Sequence, residues 1–535
     1  MTDRRTRILR IVSYVLAPVA LLVALLSWAA SSPVGSSADE DFHLTSAWCG
    51  IGLRDGICEA GSDQSHRRVP QQLIAASQCF NGLPDQSASC PATPSSVLTD
   101  TDRGNFDGSY PPAFYAAMSI FASPNISVSV LMMRAFNCLL YVVMMSALFC
   151  LLPRRRRGLM VWASLVTIVP FGVFLIASIN PSGWGVLAAS TLWLAMLGYF
   201  EAETRVRRVG LGAIALLAVV IGAGSRADSA ASAAVAIVLV GVLKAERTRA
   251  FLLRAIYPVA LVAIAGASYA GSGQTRAVNL AGENISSPLG NVPQSWTDLL
   301  WNNLIRLPDL FAGAFGAPVN GRALWLGTAV PGLVWFPLML AFGGVVFLGL
   351  RRVTVRKSLA MAMIVGLLVL LPMLWLMRDH ILVGQQVQSR YLYPLLIVLA
   401  GVSLLGFNTA NAGLGRVHLV IVAAASVVGD LTIQWFTIRR FTTGLDEFWP
   451  NLDKNLEWWW GGPVGPMALW VIGSGAYAIV CALAVLYAWR AADPGASDER
   501  SAPPARRRDH PTRGRRSASL EGSPSGERLT GGSTG

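Results

Sequence analysis

Long apolar runs alternate with short polar ones along most of this chain. A run of about 20 apolar residues is what a helix needs to cross a bilayer. The pattern predicts spans at roughly 11–31, 131–152, 158–178, 184–200, 210–224, 229–243, 251–270, 324–350, 358–377, 391–408, 416–435 and 466–489. Several are short for a straight span. The pair at 210–224 and 229–243 reads either as one hairpin or as two abbreviated spans. Residues 111–130 are moderately apolar and predict a partial or re-entrant helix. The expected fold class is an all-α polytopic membrane protein, a bundle of about 12 helices (range 11–13) over residues 11–490.

The charges between the runs give the bundle a direction. Residues 1–10 carry Arg4, Arg5, Arg7 and Arg10, and the first span reads as a retained signal anchor with a cytoplasmic N-terminus. The stretches RRRR (154–157), EAETRVRR (201–208), KAERTR (244–249) and RRVTVRK (351–357) fall on alternate turns, as cytoplasmic retention of Lys and Arg requires. The loop at 409–415 is nearly uncharged and does not vote. Long polar segments at 32–112, 271–321 and 436–465 then lie outside, and both termini lie inside a plasma membrane. The third holds four Trp and three Phe, which either mark the interfacial belt or line a sugar site. Residues 491–535 are rich in Arg, Ser, Gly and Pro, and read as a disordered basic cytoplasmic tail that could touch anionic lipid.

Composition agrees with this picture. The chain of 535 residues is 53% hydrophobic and 14% charged, against about 25% charged in soluble proteins. The net charge of +13 lies in the short clusters and the tail, so it points to membrane topology and not to nucleic acid. Of seven cysteines, Cys49, Cys58, Cys79 and Cys90 share the first long polar segment. Outside the cell they could form two disulfides, with three possible pairings. No Walker loop or dinucleotide fingerprint occurs, which leaves ATP hydrolysis and nicotinamide redox chemistry without support. An outward-facing transferase would therefore need a donor already carried across the bilayer.

The candidate chemistry crowds the same side. Asp39, Glu40, Asp41 and His43 follow the first span. One of these acids could hold a raised pKa and act as a general base, with His43 assisting, or the group could be an exposed acidic cap. Tyr110 precedes two prolines and either anchors at the interface or stacks on a sugar. Arg134 lies just inside the next span, where an arginine must pair or reach the headgroups. Asn180–Gly183 form a tight structural turn. Arg226 and Asp228 could pair with each other, or Arg226 could reach a lipid phosphate. Arg378 and His380 precede Gln388, Arg390 and Tyr391. Arg390 stands where a polyprenyl phosphate headgroup would lie, and a guanidinium fork suits that anion. Arg439 and Arg440 oppose the positive-inside trend, for a functional reason or for headgroup contact.

DEDFH at 39–43, YPP at 110–112, Met133, Arg134 and Asn137, NPSG at 180–183 and QSRYLYP at 388–394 resemble the DUF2142 group of bacterial membrane proteins. That group looks related to the GT-C membrane glycosyltransferases, and the composition looks actinobacterial. The resemblance implies a GT-C-like bundle, a polyprenyl-phosphate-sugar donor, and an acid in the first outer loop that acts as base or positions the acceptor. That acid would be Asp39, Glu40 or Asp41, the first two ranked highest. Arg390, helped by Arg226 or Arg378, would hold the leaving phosphate, and sugar would pass to a cell-envelope glycan or lipid-linked acceptor. Some relatives need a divalent metal, which the Asp39–Asp41 cluster could ligate. The rival readings are a transporter or flippase of lipid-linked sugars, a glycan polymerase or ligase, and a scaffold. A transporter would need polar groups at mid-membrane and on both faces.

Overall fold

The computed structural model describes residues 2–90, 96–274, 295–319, 329–351, 353–406 and 416–491. The expected tail at 491–535, the loop at 409–415 and much of the segment at 271–321 lie outside the described residues. Among those described, nine helices are long and apolar enough to cross a membrane, ten if one bent pair counts as a single span. Two shorter apolar helices, Tyr14–Ala30 and Ser389–Ser403, lie where the pattern placed further spans.

The helices begin where the sequence offers caps. α1 covers Thr2–Ala30 and α5 covers Ile126–Leu151, the latter capped by Asn125. α8 (Pro181–Glu201) starts at Asn180, whose side chain accepts from Ser182 N, with proline at the first turn where no N–H is missed. α9 (Arg205–Ala223), α11 (Arg249–Gly271) and α14 (Val355–Arg378) each follow a threonine, Thr204, Thr248 and Thr354, whose side chain caps the helix from within a basic loop. α10 spans Ala227–Lys244, so the uncertain pair at 210–243 is two helices. α12 (Trp296–Gly313), α13 (Gly332–Gly349), α15 (Ser389–Ser403), α16 (Arg416–Thr442) and α17 (Pro466–Ala491) complete the series.

Two expectations change. The proposed span at 158–178 is broken into α6 (Arg154–Thr167) and α7 (Pro170–Ile176), bent by 96°. Pro170 lacks the N–H that would continue α6, and Val169 before it is extended. The apolar stretch 111–130 is not one partial helix. It splits into the short α4 (Ala113–Ser119) and the start of α5.

α8 lies at the centre, packed against α9, α10 and α15, and is apolar on every side, as a helix surrounded by other helices should be. Small residues bring its neighbours close. A Cβ at Gly401 of α15 would collide with the Trp193 ring of α8. α1 and α16 both pack on α17.

The polar segment 32–112 is itself folded. It carries α2 (Glu40–Trp48), α3 (Gln72–Gln78) and an antiparallel sheet of β1 (Glu59–Ala60), β2 (Arg67–Pro70) and β3 (Leu98–Thr101) in that order. The disulfides Cys49–Cys58 and Cys79–Cys90 settle the pairing, with Cα–Cα distances of 5.3 and 5.9 Å.

Candidate functional site

The site is built around the start of α2. Asp39 is the N-cap residue, yet its side chain makes no capping hydrogen bond. It turns instead to Arg390 at the start of α15, 2.5 Å away. Its backbone lies in the left-handed region at φ 57, unusual for a residue with a side chain. The peptide before it is tied down twice: Asn180 Nδ2 and Arg390 Nη1 both donate to the Ala38 carbonyl, at 2.9 and 3.2 Å. A local conformation that costs about 1–3 kcal/mol persists where the surroundings over-determine it. Burial raises the Asp39 carboxyl pKa, but its charged neighbours, Arg390 first and Arg103 with it, together outweigh burial and hold the pKa at about 2. The carboxylate is therefore ionised, and its side chain keeps 43% of its surface open.

The next residue behaves otherwise. Glu40 forms an ion pair with Arg134 of α5 at 3.0 Å, and both side chains are sealed from solvent. Glu40 also accepts from Ser37 N and Ile179 N. Arg134 donates further to the carbonyls of Ala29, Ser32 and Pro33. This pair binds the end of α1, the start of α2 and α5 into one unit. Asp41 takes a third arginine, Arg103, with contacts of 2.8 and 3.2 Å. Arg103 also lies 3.7 Å from Asp39. The three acids thus face three different guanidiniums and do not converge as a metal site would. Among the described residues no group of three metal-ligating side chains forms.

A further guanidinium shares the Tyr391 ring with Arg390. Arg226, at the N-cap of α10, is buried, pairs with Asp228 at 2.8 Å, and sits between the rings of Tyr110 (5.4 Å) and Tyr391 (4.7 Å). Tyr391 is stacked on Trp375 of α14. Arg226 Nη1 finds no hydrogen-bond partner among the described residues, nor do Arg390 Nε, Gln388 Oε1 and Ser389 Oγ. Unpartnered buried groups also occur elsewhere, at Arg134 Nε, Arg439 Nε and Arg440 Nε, so it is their concentration around Arg226 and Arg390 that marks this place. His43, one turn into α2, shares a hydrogen bond with Tyr115 through Nδ1 at 3.0 Å, while its Nε2 is also unpartnered. Burial pushes the His43 pKa well below its ordinary value, so the ring is neutral near pH 7.

Of the candidates, Asp39, His43, Tyr110, Arg226, Asp228, Arg390 and Tyr391 come together. Gln388 caps α15 beside them. Arg378 is largely exposed and near Asp379, and His380 packs edge-on to Trp296. Arg439 and Arg440 at the end of α16 are buried elsewhere. Arg439 donates to the carbonyls of Trp449 and Asn451, and Arg440 to those of Phe80, Leu83 and Gln86. Both fasten loops. Arg103, Tyr115 and Trp375 join the cluster without having been picked out in the sequence. Arg103 carried no local signal, since its acidic partners are 62 and 64 residues away.

The segments DEDFH, YPP, NPSG and QSRYLYP, together with Arg134 and Asn137, meet around this one place. Asn137 completes the frame, donating to Ser178 O and accepting from Trp184 Nε1. Comparison with curated proteins yields no match. The family model described as "Predicted membrane protein (DUF2142)" matches residues 21–399, a stretch running from α1 into α15 that includes every residue of the cluster and excludes Arg439 and Arg440. The chain belongs to the DUF2142 family of membrane proteins.

Proposed function

We propose that this protein is a membrane glycosyltransferase. It moves a sugar from a polyprenyl-phosphate donor to a cell-envelope glycan or lipid-linked acceptor on the outer face of the plasma membrane. The observation that carries the reading is the open Asp39–Arg390 pair beside the unsatisfied edge of Arg226. A carboxylate and two guanidiniums at the membrane end of a polar segment supply the groups such a transfer needs.

The donor phosphate competes with Asp39 for Arg390 and takes the vacant Nη1 of Arg226. A buried arginine that meets an anion gains a charge-assisted bond and loses an unmet donor. Losing Arg390 removes the main influence holding the Asp39 pKa low, so Asp39 becomes a stronger base once the donor is seated. Asp39 then takes the proton of an acceptor hydroxyl as its oxygen attacks the anomeric carbon. The bond from that carbon to the phosphate oxygen breaks, and the polyprenyl phosphate leaves with the electron pair. Its charge is held by Arg390 and Arg226. Glu40 is not the base in this scheme, because its oxygens are committed to Arg134 and the backbone. The three acids offer no converging ligand set, and no step is routed through a metal.

The transporter reading has one observation in its favour. Asp430 lies buried within α16, with Trp28 Nε1 donating to one oxygen at 2.9 Å and the other oxygen unpartnered among the described residues. An ionisable group inside a span is a functional candidate. The deciding experiment follows labelled sugar in membranes supplied with polyprenyl-phosphate donors. Transfer by the wild type, lost in Arg390→Ala, supports the transferase. Movement of labelled lipid between leaflets without donor consumption, lost in Asp430→Asn, would replace it with a transporter.

A further inference from the structure

A cleft of about 330 Å³ opens in the polar segment, between the Cys49–Cys58 turn, β2 and the strap that leads to α4. We propose that this cleft binds a sugar ring of the acceptor glycan, an inference that rests on the transferase reading. The volume falls in the range of small-ligand sites, about 300–1,000 Å³.

The lining has the chemistry of a saccharide site. Phe106, Tyr110 and Tyr115 bring three aromatic rings to it, and Arg67 and Asn105 add polar edges. A sugar ring has an apolar C–H face and a rim of hydroxyls. It stacks on an aromatic face while polar side chains take the rim. Arg67 stands over the Phe106 ring at 5.5 Å, so stacking surface and donor are held together. Among the described residues, Arg67 is the one charged residue in the lining, and no carboxylate joins it. Sugars bearing an acidic group are therefore favoured over neutral ones.

The cleft is also built, and it adjoins the charged cluster. Asn105 Nδ2 donates to Tyr110 O at 2.9 Å, Tyr110 N donates to Asn105 Oδ1 at 2.7 Å, and Asn105 N donates to Ser46 Oγ at 2.8 Å. These bonds fix the strap on α2. Two residues belong to both places. Tyr110 lines the cleft and also packs on the Arg226 guanidinium. Tyr115 lines the cleft and holds His43 Nδ1. A glycan seated here adjoins the charged cluster across these two phenols.

The test needs no donor and no turnover. Full-length protein in lipid nanodiscs is mixed with cellobiose, mannobiose, galactobiose and digalacturonate, and binding is read by saturation-transfer NMR and titration. Wild type should bind at least one disaccharide, digalacturonate most tightly. Phe106→Ala should weaken binding at least tenfold, and Arg67→Gln should abolish the preference for digalacturonate. Leu53 lies on the rim and is 59% exposed, so Leu53→Trp should block the cleft without touching the core. Arg390→Ala should bind disaccharides as wild type does. Absence of binding to all four, or binding indifferent to both Phe106→Ala and Leu53→Trp with normal thermal unfolding, overturns the proposal. Disaccharide binding in a protein that consumes no donor would leave the cleft standing and reject the transferase.

Discussion

Asp39 and Glu40 are neighbours in sequence, both acidic and both paired with an arginine from a distant helix, yet they inhabit opposite environments. The Glu40–Arg134 pair is closed: each partner is almost wholly buried, and backbone groups take most of the remaining positions, Arg134 Nε excepted. The Asp39–Arg390 pair is open. Its carboxylate reaches solvent, its backbone is strained, and unsatisfied donors and acceptors crowd around it. A closed pair is out of a ligand's reach, whereas an open pair can exchange one partner for another. Access of the carboxylate to solvent, more than charge or sequence position, separates the two pairs.

The contrast is broken most severely by Arg134→Ala. Removing one partner of a sealed pair leaves an uncompensated buried carboxylate, at a cost of about 3–5 kcal/mol. We expect a large drop in folded yield and unfolding temperature, and near-normal stability would make Glu40 less buried than described. Asp39→Gly comes next. Glycine accepts φ 57 without strain, which offsets part of the lost pairing with Arg390, so unfolding should fall less than in Arg134→Ala while sugar transfer falls about 100-fold or more. Transfer that survives in this variant would remove Asp39 from the reaction.

A milder test uses pH. The folded-state pKa of Asp39, about 2, lies below the unfolded value near 3.9, so its pairing contributes stability above pH 4. That contribution fades as pH falls from about 4 through 2. Thermal unfolding followed across this window should show a small acid-side loss in wild type that is absent from Asp39→Asn. The smallest effect belongs to the exposed Asp63–His66 pair in the polar segment, at 2.9 Å. The hydrogen bond to Asp63 raises the His66 pKa, so its contribution is present below the unfolded value and disappears as pH rises through the folded one. His66→Asn should change neither unfolding nor transfer, because an exposed pair contributes little. A measurable effect on transfer would extend the site into the sheet.

Much of the site was legible beforehand. Asp39, Tyr110, Arg226 and Arg390 stood out because a charge or ring beside an apolar run demands a reason. Arg439 and Arg440 stood out for the same cause, and proved to be fasteners. A sequence shows that an arginine is out of place but not which carbonyls surround it. Glu40 could not be told from Asp39, since their separation depends on Arg134 and on Ile179 N, 94 and 139 residues away. Arg103 and Tyr115 gave no local signal at all.

The sequence by itself determined that the chain is a polytopic helical membrane protein. Apolar run length is a local property and needs no folding to be read. It also determined which cysteines were available to pair. The tertiary structure decided the two disulfide partnerships, the break at Pro170, the sheet within 59–101, and the division of three consecutive acids among three arginines. Those outcomes depend on distances between residues far apart in the chain. A left-handed turn at Asp39 and a sealed pair at Glu40 exist only once α1, α5, α8 and α15 have closed around them.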